Sequence, residues 1–313
     1  MFGPIRSLLS AAALALLCGT SVAVAQDVDA LATATPLATA TKPVLRSWMS
    51  PEVAAAWAKG YKGRGVTVTV VDDFNSTSKY SGNFGTGTQY LRHGDWTKLE
   101  ISLLAPEATI RAKSFYTGTT VPLASGLNVL NLSYGMYASS SYSLSQLGWS
   151  AQESSIISYA KNGKAVVAKA AGNDAVAVGT SAGGQTDFLD LALVGAQSAI
   201  FAGALSSNGT TSNPATLASY SNYAGSDPTV QSHFLVVGVE GNKTGLYGTS
   251  FAAPIISGYA AILGSKFKTA SSTQITNQLL TTARKDTLLN YDASIYGQGE
   301  ASLTRALAPL SIK

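Results

Sequence analysis

The chain has 313 residues, of which 12% are charged, with a formal net charge of +4 and a single cysteine, Cys18. So small a basic excess, spread along the chain without clusters, argues against nucleic acid or an anionic membrane as a partner. One cysteine excludes a disulfide framework, and this length lets a single α/β domain bury a substantial core without one.

Residues 1–25 read as a secretory leader: Arg6 supplies the positive end, residues 8–17 are apolar, and Ala23-Val24-Ala25 is a small-residue cleavage site. The apolar stretch is too short for a stable membrane anchor, so the expected location is secreted or periplasmic. Cys18 leaves with the leader, and the preceding Ala15-Leu16-Leu17 lacks the small residue of a lipoprotein signal. Residues 26–46 repeat Leu-Ala-Thr-Ala-Thr at 31–35 and 37–41 around Pro36, a low-complexity linker. The folded domain is expected over 47–313, with its core beginning near Trp48.

Residues 66–72, Val-Thr-Val-Thr-Val-Val-Asp, alternate β-branched side chains and predict a buried strand ending at a carboxylate, Asp72. Open α/β sheets place functional groups at such strand ends. Asp73 competes locally, and an exposed Asp-Asp pair opening a turn is the plainer alternative. His93, one of two histidines, opens His-Gly-Asp-Trp. An imidazole titrates near neutrality and suits proton transfer, although a lone surface histidine would look the same. The other, His233, lies in a context that reads as structural or surface.

Further on, 129–135 (Val-Leu-Asn-Leu-Ser-Tyr-Gly) and 166–173 (Val-Val-Ala-Lys-Ala-Ala-Gly-Asn) are strand-like runs stopped by Gly and by Gly-Asn. An Asn after Gly can simply close a turn in the left-handed region. Residues 248–254, Gly-Thr-Ser-Phe-Ala-Ala-Pro, precede a small-residue apolar run that predicts a buried helix. Pro254 fits its first turn. The unpaired N–H groups there, and the positive end of the helix, suit an anion forming at Ser250.

These motifs together resemble those of the subtilisin-like serine proteases, with Gly-Thr-Ser-x-Ala-x-Pro at the nucleophile, His-Gly at the general base, Ala-Ala-Gly-Asn at the oxyanion site and Ser-x-Gly beside the cleft. The resemblance spans residues 66–263 and implies a three-layer α/β fold, a central mostly parallel sheet with helices on both faces. It implies that Ser250 attacks, His93 shuttles the proton, Asp72 orients His93, and Asn173 with the Ser250 N–H holds the oxyanion. It places Ser133, Tyr134, Gly135, Ala171 and Gly172 along a cleft where an extended peptide adds by backbone hydrogen bonds. The order Asp72, His93, Ser250 and the missing second Gly of a Gly-x-Ser-x-Gly elbow exclude an α/β-hydrolase.

Three departures from the family pattern stand out. Asp73-Phe74 replaces the usual Ser or Thr followed by Gly, and Asp95-Trp96 replaces Thr-His after His93-Gly94. The spacing from His93 to Ala105-Pro106 omits the stretch in which relatives carry an oxygen-rich calcium loop, so no metal is expected there and no cofactor at all. About twenty residues between leader and core are too few for a folded prodomain. The domain is then expected to fold unaided or with a helper chain in trans, which can double as an inhibitor. The expected activity is a secreted serine endopeptidase acting on flexible or unfolded protein segments. A silent peptide-binding protein retaining the cleft is the alternative.

Overall fold

The structure, a computed structural model, describes residues 42–312; the leader at 1–25 and most of the linker lie outside them. Six parallel strands form the central sheet: β1 Val66–Asp72, β2 Thr109–Ser114, β3 Leu127–Leu132, β4 Val166–Ala170, β5 Ala199–Leu205 and β6 Phe234–Gly238. Their spatial order is β6-β5-β4-β3-β1-β2. Every residue of β1, β4, β5 and β6 is buried, as expected of parallel strands covered on both faces.

Alternation along the strands sorts the core into two layers. Val66, Val68, Val70, Ala168 and Ala202 face one layer, with Trp57 of helix α1 (Pro51–Ala58) and Ile101 of helix α2 (His93–Leu104). Val71, Leu132, Val167 and Phe201 face the other, with Ile156 of helix α3 (Ala151–Lys161) and Leu189 of helix α4 (Phe188–Leu193). The first layer is centred on helix α5 (Ala252–Lys266), buried throughout except for Lys266. The sequence expectation of helices on both faces of a mostly parallel sheet is met.

Chain direction across the sheet reverses at β1: the next strand, β2, lies on one side of it, and β3 to β6 step away on the other. In such sheets the crevice beyond the carboxyl ends at the reversal is where groups from two strands converge. Asp72 ends β1 and Ser133 follows β3, with Val71 level with Leu132. Trp48, buried, donates its indole N–H to the Phe84 carbonyl at 3.2 Å, tying the domain's start to the loop before α2. None of the described helices is long and apolar enough to cross a membrane.

Candidate active site

Asp72 is fully buried where β1 ends. Its Oδ1 lies 2.6 Å from His93 Nδ1 and accepts the Asp73 N–H at 2.6 Å, while its Oδ2 accepts the Thr97 hydroxyl at 2.9 Å. Three polar neighbours offset the cost of burying this carboxylate. His93 is the first residue of α2, and Thr97, four residues on, shares its face of the helix. The sequence motif did not single out Thr97, yet the i, i+4 spacing from His93 was the signal.

Trp96, at the place of the family's second histidine, fills space in the core. The Trp96 ring is fully buried edge-on to Phe84 at 5.3 Å, and its Nε1 donates to the Tyr80 carbonyl at 2.9 Å. Tyr80 and Phe251 pack around the imidazole, with ring centroids 6.1 and 5.9 Å away. Asp95 points outward and pairs with Arg92 at 3.6 Å. Asp73 turns away from Asp72: its Oδ1 caps its own loop, accepting the N–H groups of Asn75 and Ser76 at 3.0 and 2.9 Å.

Burial alone would depress the basicity of His93, but the Asp72 charge and hydrogen bond, with a further push from Asp73, move its pKa above the ordinary histidine value. Seven residues along α2 from His93, Glu100 is buried with no partner for its Oε2. Burial raises its pKa well above the ordinary glutamate value, which favours the neutral form.

Ser250 sits in a 3-10 turn, Thr249–Phe251, that leads into α5. Gly248 before it has φ 114°, a left-handed conformation that a side chain would strain. The Ser250 hydroxyl donates to the Ser133 carbonyl at 3.3 Å, and the Ser133 hydroxyl donates to the Ser250 carbonyl at 2.8 Å. Among the described residues Ser250 makes no hydrogen bond to His93. Asn131 and Ser257, both buried, extend this network behind Ser133.

Asn173 is held by Thr249. Its Oδ1 accepts the Thr249 N–H at 2.8 Å and the Thr249 hydroxyl at 3.0 Å, while that hydroxyl accepts the Gly172 N–H at 3.1 Å. With its oxygen engaged, the amide presents Nδ2 as a donor. Asn222 anchors the same loop, bonding the Ala171 carbonyl at 2.9 Å and the Asp174 and Val176 N–H groups. Neither Thr249 nor Asn222 could be assigned this role from sequence, because each acts on a residue tens of positions away.

A cavity of about 340 Å³ opens beside Ser250 and Asn173, walled by Ser133, Tyr134, Gly135 and Gly172, with Tyr137 and Lys169 also lining it. One sequence expectation needs correction. Ala171 does not line it: strand alternation carries its methyl into the second core layer. Tyr134 borders the cavity, and its buried ring stacks on Phe115 at 5.4 Å. His233, read as structural or surface, is partly exposed, its Nδ1 3.1 Å from the Thr229 carbonyl of the short helix Pro228–Ser232. No group of three or more His, Cys, Asp or Glu among the described residues is arranged to hold a metal ion.

Among solved structures, the prenylagaramide maturation protease PagA superposes with a TM-score of 0.51 at 17% identity, covering 82% of this chain and 98% of that one. MycP1 from the ESX-1 type VII secretion system gives 0.53 at 18%, covering 87% of this chain and 88% of that one. MycP1 from Mycobacterium smegmatis gives 0.50 at 18%, covering 87% of each. Likeness at this identity concerns the fold. No curated protein sequence matches the chain. The family profile of the subtilases matches residues 104–299, which takes in Ser133, Asn173 and Ser250 and begins after Asp72 and His93. The chain belongs to the subtilase family of serine peptidases.

Proposed function

We propose that the protein is a secreted or periplasmic endopeptidase that cleaves flexible or unfolded protein segments through Asp72, His93 and Ser250. The observation that carries this reading is the buried 2.6 Å contact between Asp72 and His93 Nδ1, at the same sheet end as Ser250 and Asn173. The Ser250 oxygen attacks the peptide carbonyl while His93 Nε2 takes its proton, and Asp72 stabilises the imidazolium. Asn173 Nδ2 and the Ser250 N–H receive the charge that forms on the carbonyl oxygen. His93 then returns the proton to the departing amine, and water, deprotonated by His93, hydrolyses the acyl-enzyme. A cleft bordered by strand ends suits an extended segment, hence the flexible substrates.

The Ser250 hydroxyl, bonded to the Ser133 carbonyl instead of the imidazole, favours the silent peptide-binding alternative. Labelling with a fluorophosphonate separates the two. Wild type is expected to label, with Ser250→Ala blank and His93→Ala slowed by orders of magnitude. A folded wild-type protein that does not label, or a Ser250→Ala variant that does, rejects the assignment.

A further inference from the structure

Near its carboxyl end, β3 carries a polar side chain that neither the sheet nor the proton transfer requires. Asn131 is fully buried and shares its face of the strand with Val129, so it points into the layer of helix α5. A buried amide costs free energy there unless its polar groups find partners. Its Oδ1 lies 3.1 Å from the Ser257 hydroxyl of α5, and its Nδ2 lies 3.0 Å from the Ser133 hydroxyl. Ser257 is fully buried and Ser133 nearly so. The Ser133 hydroxyl ends the chain at the Ser250 carbonyl, 2.8 Å away.

The last acceptor fixes the sense of every bond before it. A carbonyl oxygen only accepts, so the Ser133 hydroxyl must give its one proton to Ser250. That hydroxyl can then only accept from Asn131, which obliges the amide to turn Nδ2 towards Ser133 and Oδ1 towards Ser257. The Ser257 hydroxyl is left as the donor at the far end. Three bonds thus run one way, from the body of α5, through β3, to the residue two positions before α5 begins. None can be reversed without leaving the Ser250 carbonyl unpaired. A further bond joins the same two serines, and it is the weaker: the Ser250 hydroxyl reaches the Ser133 carbonyl at 3.3 Å. The backbone of Ser250 is therefore held more tightly than its reacting oxygen. Asn173 fixes the residue before it through the Thr249 N–H.

We propose that Asn131, backed by Ser257, is a positioning residue for Ser250: it holds the Ser133 hydroxyl on the Ser250 carbonyl, which fixes the nucleophile's backbone and leaves its hydroxyl free to turn to His93. The inference rests on the peptidase reading above. Two groups of Ser250 must meet one carbonyl of the substrate, the N–H its oxygen and Oγ its carbon. A small rotation of this residue misplaces both contacts at once. Turning the hydroxyl from Ser133 to His93 gives up only the weaker bond and needs rotation about a side-chain bond alone. Asn131 does not line the cavity beside Ser250, and it reaches Ser250 through the Ser133 hydroxyl. Its effect belongs in kcat and vanishes when that hydroxyl is absent.

Steady-state kinetics on Ser133→Ala, Asn131→Leu and the double variant test the proposal. Each single change should lower kcat roughly tenfold, the effect of about one hydrogen bond, with KM within about twofold. On the Ser133→Ala background, Asn131→Leu should lower kcat no further, whereas a residue that only supports the fold would multiply the losses. Ser257→Ala, a smaller change in the same network, goes through the same cycle and decides the matter if Asn131→Leu does not fold. Losses that multiply, a fall confined to KM, or an unchanged kcat in the single variants overturns the proposal and leaves the peptidase standing. Amide hydrogen exchange over residues 248–253 reads the positioning without catalysis. It should quicken in Ser133→Ala and Asn131→Leu relative to the rest of α5, and no more in the pair than in Ser133→Ala. If folded wild type fails to label with the fluorophosphonate, the peptidase reading falls and exchange alone decides. Faster local exchange then keeps the hold on Ser250, and unchanged exchange rejects it.

Discussion

Asp73, next to the carboxylate that holds His93, acts on the imidazole through space while its oxygen caps its own loop. Its charge helps keep His93 protonated, and a general base works only when neutral, so the acid limb of activity should lie above the ordinary histidine value. Asp73→Asn removes part of that push, and the acid limb of kcat/KM on a neutral substrate should move to lower pH. A limb that stays in place would show that Asp73 matters only to its loop. Thr249 is the second residue whose role is set by its neighbours, since its hydroxyl serves both Gly172 and Asn173. Thr249→Val keeps the shape and should cost about 1–3 kcal/mol of stability by stranding a buried N–H. With Asn173 less constrained, kcat should fall by tenfold or more while KM changes little. Denaturant melts and steady-state kinetics read the two effects separately.

Helix α2 carries His93 and Thr97 on the face that also buries Glu100. A carboxyl kept neutral in the fold but ionised when unfolded stabilises fully only at low pH. That contribution is lost as pH rises above the ordinary glutamate range, at about 1.4 kcal/mol per pH unit until the folded group titrates. Glu100→Gln removes this penalty, so its melting temperature should gain on wild type progressively between pH 5 and pH 7. An equal gain at both pH values would point to packing instead. This helix also marks where sequence reading stops. Asp72, His93, Asn173 and Ser250 were legible because each closes or opens a local element, as a strand end, a helix start or a tight turn. Trp96 was legible only as a departure, because its partner Phe84 lies in a loop without periodicity. Lys169 stood unremarked inside a strand-like run, since its ion partners Asp187 and Asp190 come from a separate hairpin strand and helix. The inward placement of Ala171 followed from alternation and was obscured by the motif around it.

At the scale of the whole molecule, the site is assembled from distant parts of the chain. Ser133 and Ser250 bond each other across 117 residues, and Asp72 and His93 join from 21 residues apart. Parallel sheets gather such contacts slowly, because loop closure precedes the reward of pairing. A chain in which β3 or α5 has not yet docked lacks the cleft or the positioned Ser250, and it is itself a flexible segment of the kind the proposed activity would cleave. On the proposed activity, maturation would be a race between copies, with early folders cleaving late ones and the loss growing with concentration. Refolding yield of the wild type should fall as protein concentration rises even under conditions free of aggregation, whereas Ser250→Ala should refold with a yield that concentration leaves untouched. On the proposed activity, a protein with this topology is safest when it folds dilute, one chain at a time.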